Sequence, residues 1–183
     1  ARQLMSEPAP RNPAHDRYTD AFIEGILANV KTVAMVGASA NAARPSYFVL
    51  TYLMNKGYSV AAINPGRAGS TIAGAPVYPT LAEAPGPLGM DDVFRAPDAV
   101  PGVDAEVLAM GPHPKVLWLQ LGIRNDPAVA PAEDAGITVV QNRCPKIEYG
   151  RLSGEISWAG VNSNRVSARK SKLGAGNQHL VLR

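Results

Sequence analysis

Residues 33–67 do most to limit the folds open to this chain. Val33-Ala34-Met35-Val36 is an unbroken apolar run, followed by small residues, Gly37-Ala38-Ser39-Ala40-Asn41-Ala42-Ala43, and then Arg44. Pro45 opens an amphipathic run that Gly57 closes, and Tyr58-Ser59-Val60-Ala61-Ala62-Ile63 leads into Asn64-Pro65-Gly66-Arg67. Proline suits a first helical position, where its missing N–H costs nothing, and glycine suits the left-handed position that ends a helix. The pattern predicts strand, loop, helix, strand, and a helix between two strands makes them parallel. The loop at 37–44 then lies at a strand's carboxyl end against a helix N-terminus, where backbone N–H groups and the helix dipole favour anions.

The rest of the chain repeats the alternation. Phe22, Ile23, Ile26, Leu27 and Val30 recur at helical spacing, with Thr19 or Asp16 as the cap. Segment 64–80 is punctuated by Gly66, Gly69, Gly74, Pro76 and Pro79 and reads as a long loop, extended only near Val77-Tyr78. Residues 81–90 carry too much Pro and Gly for more than one helical turn. Asp91 to Arg95 predicts a short strand, Pro97 to Met110 a helix, and Val116-Leu117-Trp118-Leu119 a strand covered on both faces. A helix from Asp126 to Ala135, stopped by Gly136, precedes a last strand at Ile137 to Val140. About five apolar strands separated by helices predict an α/β fold, an open parallel sheet with helices on both faces. After Gly150 the periodicity fades. Trp158 and Val161 are candidates to pack back onto the body, and Ser163 to Gly176 reads as irregular.

Composition narrows the setting. The net charge of +3 conceals an asymmetry, because residues 156–183 hold five basic side chains and no acid, leaving −2 for residues 1–155. A basic tail on a slightly acidic body is weak grounds for nucleic-acid binding. The one cysteine, Cys144, permits no internal disulfide. With neither a membrane-length apolar run nor a secretion signal, the expectation is a soluble cytoplasmic protein.

The nucleotide is harder to name. Of the Gly-x-Gly-x-x-Gly fingerprint only Gly37 is present, with Ser39 and Ala42 at the other two places. The second strand ends in Asn64 rather than an acid, which counts against NAD. Arg67 lies just beyond, where a cation meets a ribose phosphate, leaving NADP and coenzyme A as candidates. The P-loop Lys-Ser or Lys-Thr pair is absent.

Six segments together carry a resemblance. Val36-Gly37-Ala38-Ser39, Asn64-Pro65-Gly66-Arg67-Ala68-Gly69, Gly74-Ala75-Pro76-Val77-Tyr78, Asp92-Val93-Phe94-Arg95, Gln120-Leu121-Gly122-Ile123 and Asn142-Arg143-Cys144-Pro145-Lys146-Ile147-Glu148 resemble the small CoA-binding-domain proteins. These are similar to the N-terminal domain of the succinyl-CoA synthetase alpha subunit. The resemblance covers about residues 16–152, between a loose arm at 1–15 and a basic, largely irregular tail at 153–183. It implies a Rossmann-like fold holding coenzyme A at the strand carboxyl ends. It implies the loop Gly37, Ala38, Ser39 through Arg44 at the pyrophosphate, and Pro65 and Arg67 by the 3′-phosphate, with Asn64 beside them among the cofactor-binding residues. Val93, Phe94 and Arg95 would border adenine and ribose, with Gly122 near the pantetheine. The synthetases also use a second domain with a phosphorylated histidine and a nucleotide-grasping partner, neither recognisable here.

His15 in the arm, His113 in a turn and His179 in the tail sit in no recognisable catalytic setting. Arg44 reads equally as a phosphate ligand or a solvated cation. Asp91 and Asp92, adjacent on a strand, point to opposite faces and do not make a shared acid/base or metal pair. Cys144 reads first as a packing residue and second as a thiol exchanging with that of CoA. No catalytic residue and no metal-ligand spacing stands out. The expectation is a stand-alone CoA or acyl-CoA binding protein. The alternatives are an NADP-dependent oxidoreductase and a regulatory, partner-binding subunit with CoA as signal.

Overall fold

The computed structural model describes residues 10–154 of the chain. The expectations for Trp158, Val161, His179 and the basic tail lie outside the described residues. Helix α1 (Asp20–Asn29) starts where Thr19 accepts a hydrogen bond from the Phe22 N–H, so Thr19 rather than Asp16 is the cap. Strand β1 (Thr32–Val36), helix α2 (Pro45–Asn55) and strand β2 (Ser59–Ile63) follow as predicted, with Pro45 in the first turn of α2. Gly57 takes φ +93° beyond the end of α2, the left-handed conformation that glycine adopts without strain.

Segment 64–80 departs from the expected long loop. Strands β3 (Thr71–Ile72) and β4 (Ala75–Tyr78) form an antiparallel hairpin there, and β4 extends the sheet beside β2. Ala73 and Gly74, at φ +50° and +90°, make the two-residue turn, a geometry that suits hairpin twist. Pro76 fits because this is the sheet margin, where fewer N–H groups are demanded.

Next come β5 (Met90–Val93), α3 (Val100–Ala109), β6 (Val116–Leu119), α4 (Asp126–Asp134), β7 (Thr138–Val140) and α5 (Pro145–Ser153). The strand expected at Asp91 to Arg95 starts one residue earlier and stops at Val93. Helix α5 occupies residues that the sequence reading left unassigned.

The sheet has seven strands in the order β3-β4-β2-β1-β5-β6-β7, all parallel except β3. Helices cover both faces. Ile23, Leu27, Leu50, Leu53 and Tyr149 of α1, α2 and α5 pack on one face, and Val100, Val107 and Val129 of α3 and α4 on the other. The sheet is α/β and Rossmann-like, with two strands more than the five expected.

The residues before Asp16, expected as a loose arm, are ordered against α4 from Asn12 onward. Arg124 donates to the carbonyls of Asn12 and His15 and to the Asp16 carboxylate, and it also holds Asp126. His15 is buried, joined through Nδ1 to Tyr18 Oη and through Nε2 to Glu133, both at 2.7 Å. These bonds give His15 a structural task.

Candidate functional site

Chain direction creates the crevice. From β1 the chain steps to β2 on one side, and β5 then lies against β1 on the other. Where successive connections leave in opposite directions, the loops beyond the strand ends part and leave a cleft. Val36 pairs with both Ile63 and Val93, so Gly37, Asn64 and Phe94 stand side by side at the mouth.

The Gly37 loop is fixed from within. The Ser39 N–H donates to Ser46 Oγ, Ser39 Oγ accepts from the Asn41 N–H, and Asn41 Oδ1 accepts from the Ala43 N–H. Asn64 ties two loops together, donating to the Ala38 carbonyl at 3.0 Å and accepting from the Gly66 N–H at 2.9 Å. An acid could not make the first of these bonds, which accounts for an amide at this strand end.

Gly37 is required by the fold before any ligand is considered. It has φ +79°, and a Cβ there would lie 2.4 Å from the Phe94 carbonyl oxygen and 3.1 Å from Arg95 Cδ. Its closeness to Arg95 also shows that the loop and the β5 end share one cleft.

The other expected residues divide into groups. Arg44, Pro65, Arg67 and Arg95 are exposed around the crevice. Ala38 and Val93 are buried in the core, so only their backbone remains for contact with a ligand. Gly122 sits farther along, at φ +82°, with its N–H donated to Asn142 Oδ1 at 2.7 Å. Phe94 is half-buried and lines a groove leading away from the crevice. That groove holds about 490 Å³, with Pro45 and Val49 of α2 on one side and Leu121, Ile123 and Ile147 on the other.

Its floor is polar. Gln120 and Cys144 line it, each almost buried, and Gln120 Nε2 donates to Asp92 Oδ1 at 2.7 Å. Asp92 is wholly buried and its Oδ2 has no partner among the described residues. Burial pushes its carboxyl up to about 7. Asp91 lies on the α3 and α4 face of the sheet, where burial foremost, then Glu106 and Asp92, push it to about 7 as well. The two acids point to opposite faces, as the strand alternation predicts. Burial also raises the Cys144 thiol, with Asp92 adding to the shift and two N–H groups of α5 opposing it. A thiol so placed is a poor nucleophile, which agrees with the packing reading.

Sequence reasoning missed Val49, Leu121 and Ile147 as groove residues and Asp92 as a polar group beneath it. Leu121 and Ile147 lay within recognised segments, but nothing local marked them, since four separate elements build the groove. Among the described residues no group of His, Cys, Asp and Glu could hold a metal ion, and no helix is long and apolar enough to cross a membrane.

A family model described as a CoA binding domain matches residues 31–150. The uncharacterized protein YneT of Bacillus subtilis (strain 168) is 31% identical over 129 residues, which are 70% of this chain and 93% of YneT. A solved structure from Thermus thermophilus is 35% identical with a TM-score of 0.69, covering 73% of this chain and 98% of that one. The dinucleotide-forming acetyl-coenzyme A synthetase 1 of Ca. Korarchaeum cryptofilum shares the fold, at 23% identity and a TM-score of 0.53. That match covers 62% of this chain and 26% of the synthetase.

Proposed function

Because the chain belongs to the CoA-binding domain family, we propose that it holds coenzyme A or an acyl-CoA across the carboxyl ends of β1, β2 and β5. The observation that carries this reading is the switch-point crevice, where Gly37, Asn64 and Phe94 meet and the exposed Arg44, Arg67 and Arg95 surround an anion-favouring loop. The diphosphate lies over residues 37–44, close to the first turn of α2, whose dipole favours negative charge. Pro65 and Arg67 flank the 3′-phosphate, and Phe94 and Arg95 border the adenosine. The pantetheine arm runs past Gly122 into the groove above Gln120.

The role is binding rather than turnover. The buried Asp92 is tied to Gln120, and the raised thiol of Cys144 offers little reactivity. Calorimetry of the protein freed of ligand, with CoA, acetyl-CoA, NAD and NADP in parallel, tests the reading. Binding of CoA and acetyl-CoA alone is expected. Binding of NADP without CoA would replace it with a nicotinamide-dependent reading.

A further inference from the structure

The groove is larger and more apolar than the end of a bare CoA requires. Free CoA finishes in a thiol, a small group that one or two contacts satisfy. Here Pro45, Val49, Phe94, Leu121, Ile123 and Ile147 enclose about 490 Å³. Leu121 is 61% exposed and Ile147 48%, and they are two of the four exposed large hydrophobic side chains among the described residues. Apolar side chains held open to water around a concave, ligand-sized space gain from an apolar occupant. Arg95 is the one charged residue that lines the groove, and it stands at the crevice end. On the α5 side the nearest cation, Lys146, is not among the lining side chains; its ammonium lies over the Phe48 and Tyr52 rings.

Resting on the CoA reading, we propose that the preferred ligand is an acyl-CoA with an uncharged aliphatic chain, which lies along this groove with its thioester above Gln120. Beneath it, Asp92 Oδ1 accepts the hydrogen bond from Gln120 Nε2.

The full chain, freed of ligand, is titrated with CoA and with butanoyl-, hexanoyl-, octanoyl- and succinyl-CoA. Affinity should rise two- to fourfold for each methylene between butanoyl and hexanoyl, roughly the gain from burying one such group. Succinyl-CoA should bind no more tightly than CoA. Ile147→Glu should abolish the dependence on chain length, with a thermal melt run alongside to show that the variant folds. Leu121→Glu serves as the second variant and should have the same effect. Equal affinity for CoA and hexanoyl-CoA would overturn the acyl inference and leave the CoA reading standing. Succinyl-CoA as the tightest ligand would overturn it too, as would a chain-length dependence unchanged in both variants. Binding of none of the five would overturn the CoA reading itself.

Discussion

Gly37 shows how one residue can be read correctly for an incomplete reason. A glycine at a strand end before a helix suggests backbone approach to a phosphate, and on that ground Gly37→Val should spare the fold. The structure corrects this, because the added Cβ would meet the Phe94 carbonyl at 2.4 Å and φ is +79°. Backbone cannot yield as a flexible side chain does, so even Gly37→Ala should lower the melting temperature by several degrees, at about 1–3 kcal/mol of strain. A melt equal to wild type would show that β1 and β5 can part. Arg67 makes a cleaner probe of the ligand, since it is exposed and its loss should leave the fold intact. Arg67→Ala should weaken CoA binding about tenfold and scarcely change binding of dephospho-CoA, which lacks the 3′-phosphate. The two proteins and two ligands form a cycle whose coupling term isolates the arginine–phosphate contact. A coupling near zero would transfer the phosphate to another cation, Arg95 first. Cys144, 8% exposed and with a raised thiol, should form no adduct with oxidised CoA until the protein is denatured. Rapid native labelling detected by mass would show that the sulfur is open to the groove despite its burial.

At the scale of elements, the sequence was clearest where burial is two-sided. Val33 to Val36 and Val116 to Leu119 carry their apolar runs openly because helices cover both faces of the strands. The β3–β4 hairpin was hidden because it lies at the margin, where strands of two and four residues, broken up by Gly74 and Pro76, are too short to show a clear apolar period. Helix α5 was missed for a related reason: Lys146 and Ile147 are exposed in its first turn, and the polar Glu148 beside them, paired with Arg151, masks the apolar spacing of Tyr149 and Leu152. In the site, the switch-point loops could be read from local chemistry, since glycine, asparagine and arginine at strand ends each have a distinct use. The groove could not, because it exists only once α2, α5 and the ends of β5 and β6 are assembled. The docking of residues 12–16 was equally invisible, for it depends on Arg124 reaching more than a hundred residues back along the chain. Arg124→Ala should therefore speed amide hydrogen exchange in residues 12–18 and the first turn of α4. Exchange in β1, β2 and β5 should hold at the wild-type rate. Unchanged exchange in residues 12–18 would mean that His15 and Tyr18 hold the segment unaided.

For the molecule as a whole, the two acids inside the sheet set the response to pH. Asp91 and Asp92 are wholly buried with no cation beside them among the described residues, and burial raises both to about 7. Unfolded, an aspartate titrates near ~3.9. Between roughly pH 4 and 7 the folded chain therefore binds more protons than the unfolded one, and stability falls as pH rises through that window. Above it both states are ionised and the loss levels off. Asp16 and Asp126 act in the opposite sense, since Arg124 holds both below the usual carboxylate range. Their contribution is present above about pH 4 and is lost only on further acidification. The two effects occupy different ranges, which places the stability maximum near pH 4–5, on the acid side of neutrality. Thermal melts should therefore fall from pH 5 to about pH 7 and level off towards pH 8. Asp91→Asn and Asp92→Asn should each flatten that decline and raise the melting point at pH 8, because an amide cannot ionise. The double substitution should remove most of the slope. A melting temperature that rises from pH 5 to pH 8 in the wild-type chain would show that the buried carboxyls carry charge and have found partners for it.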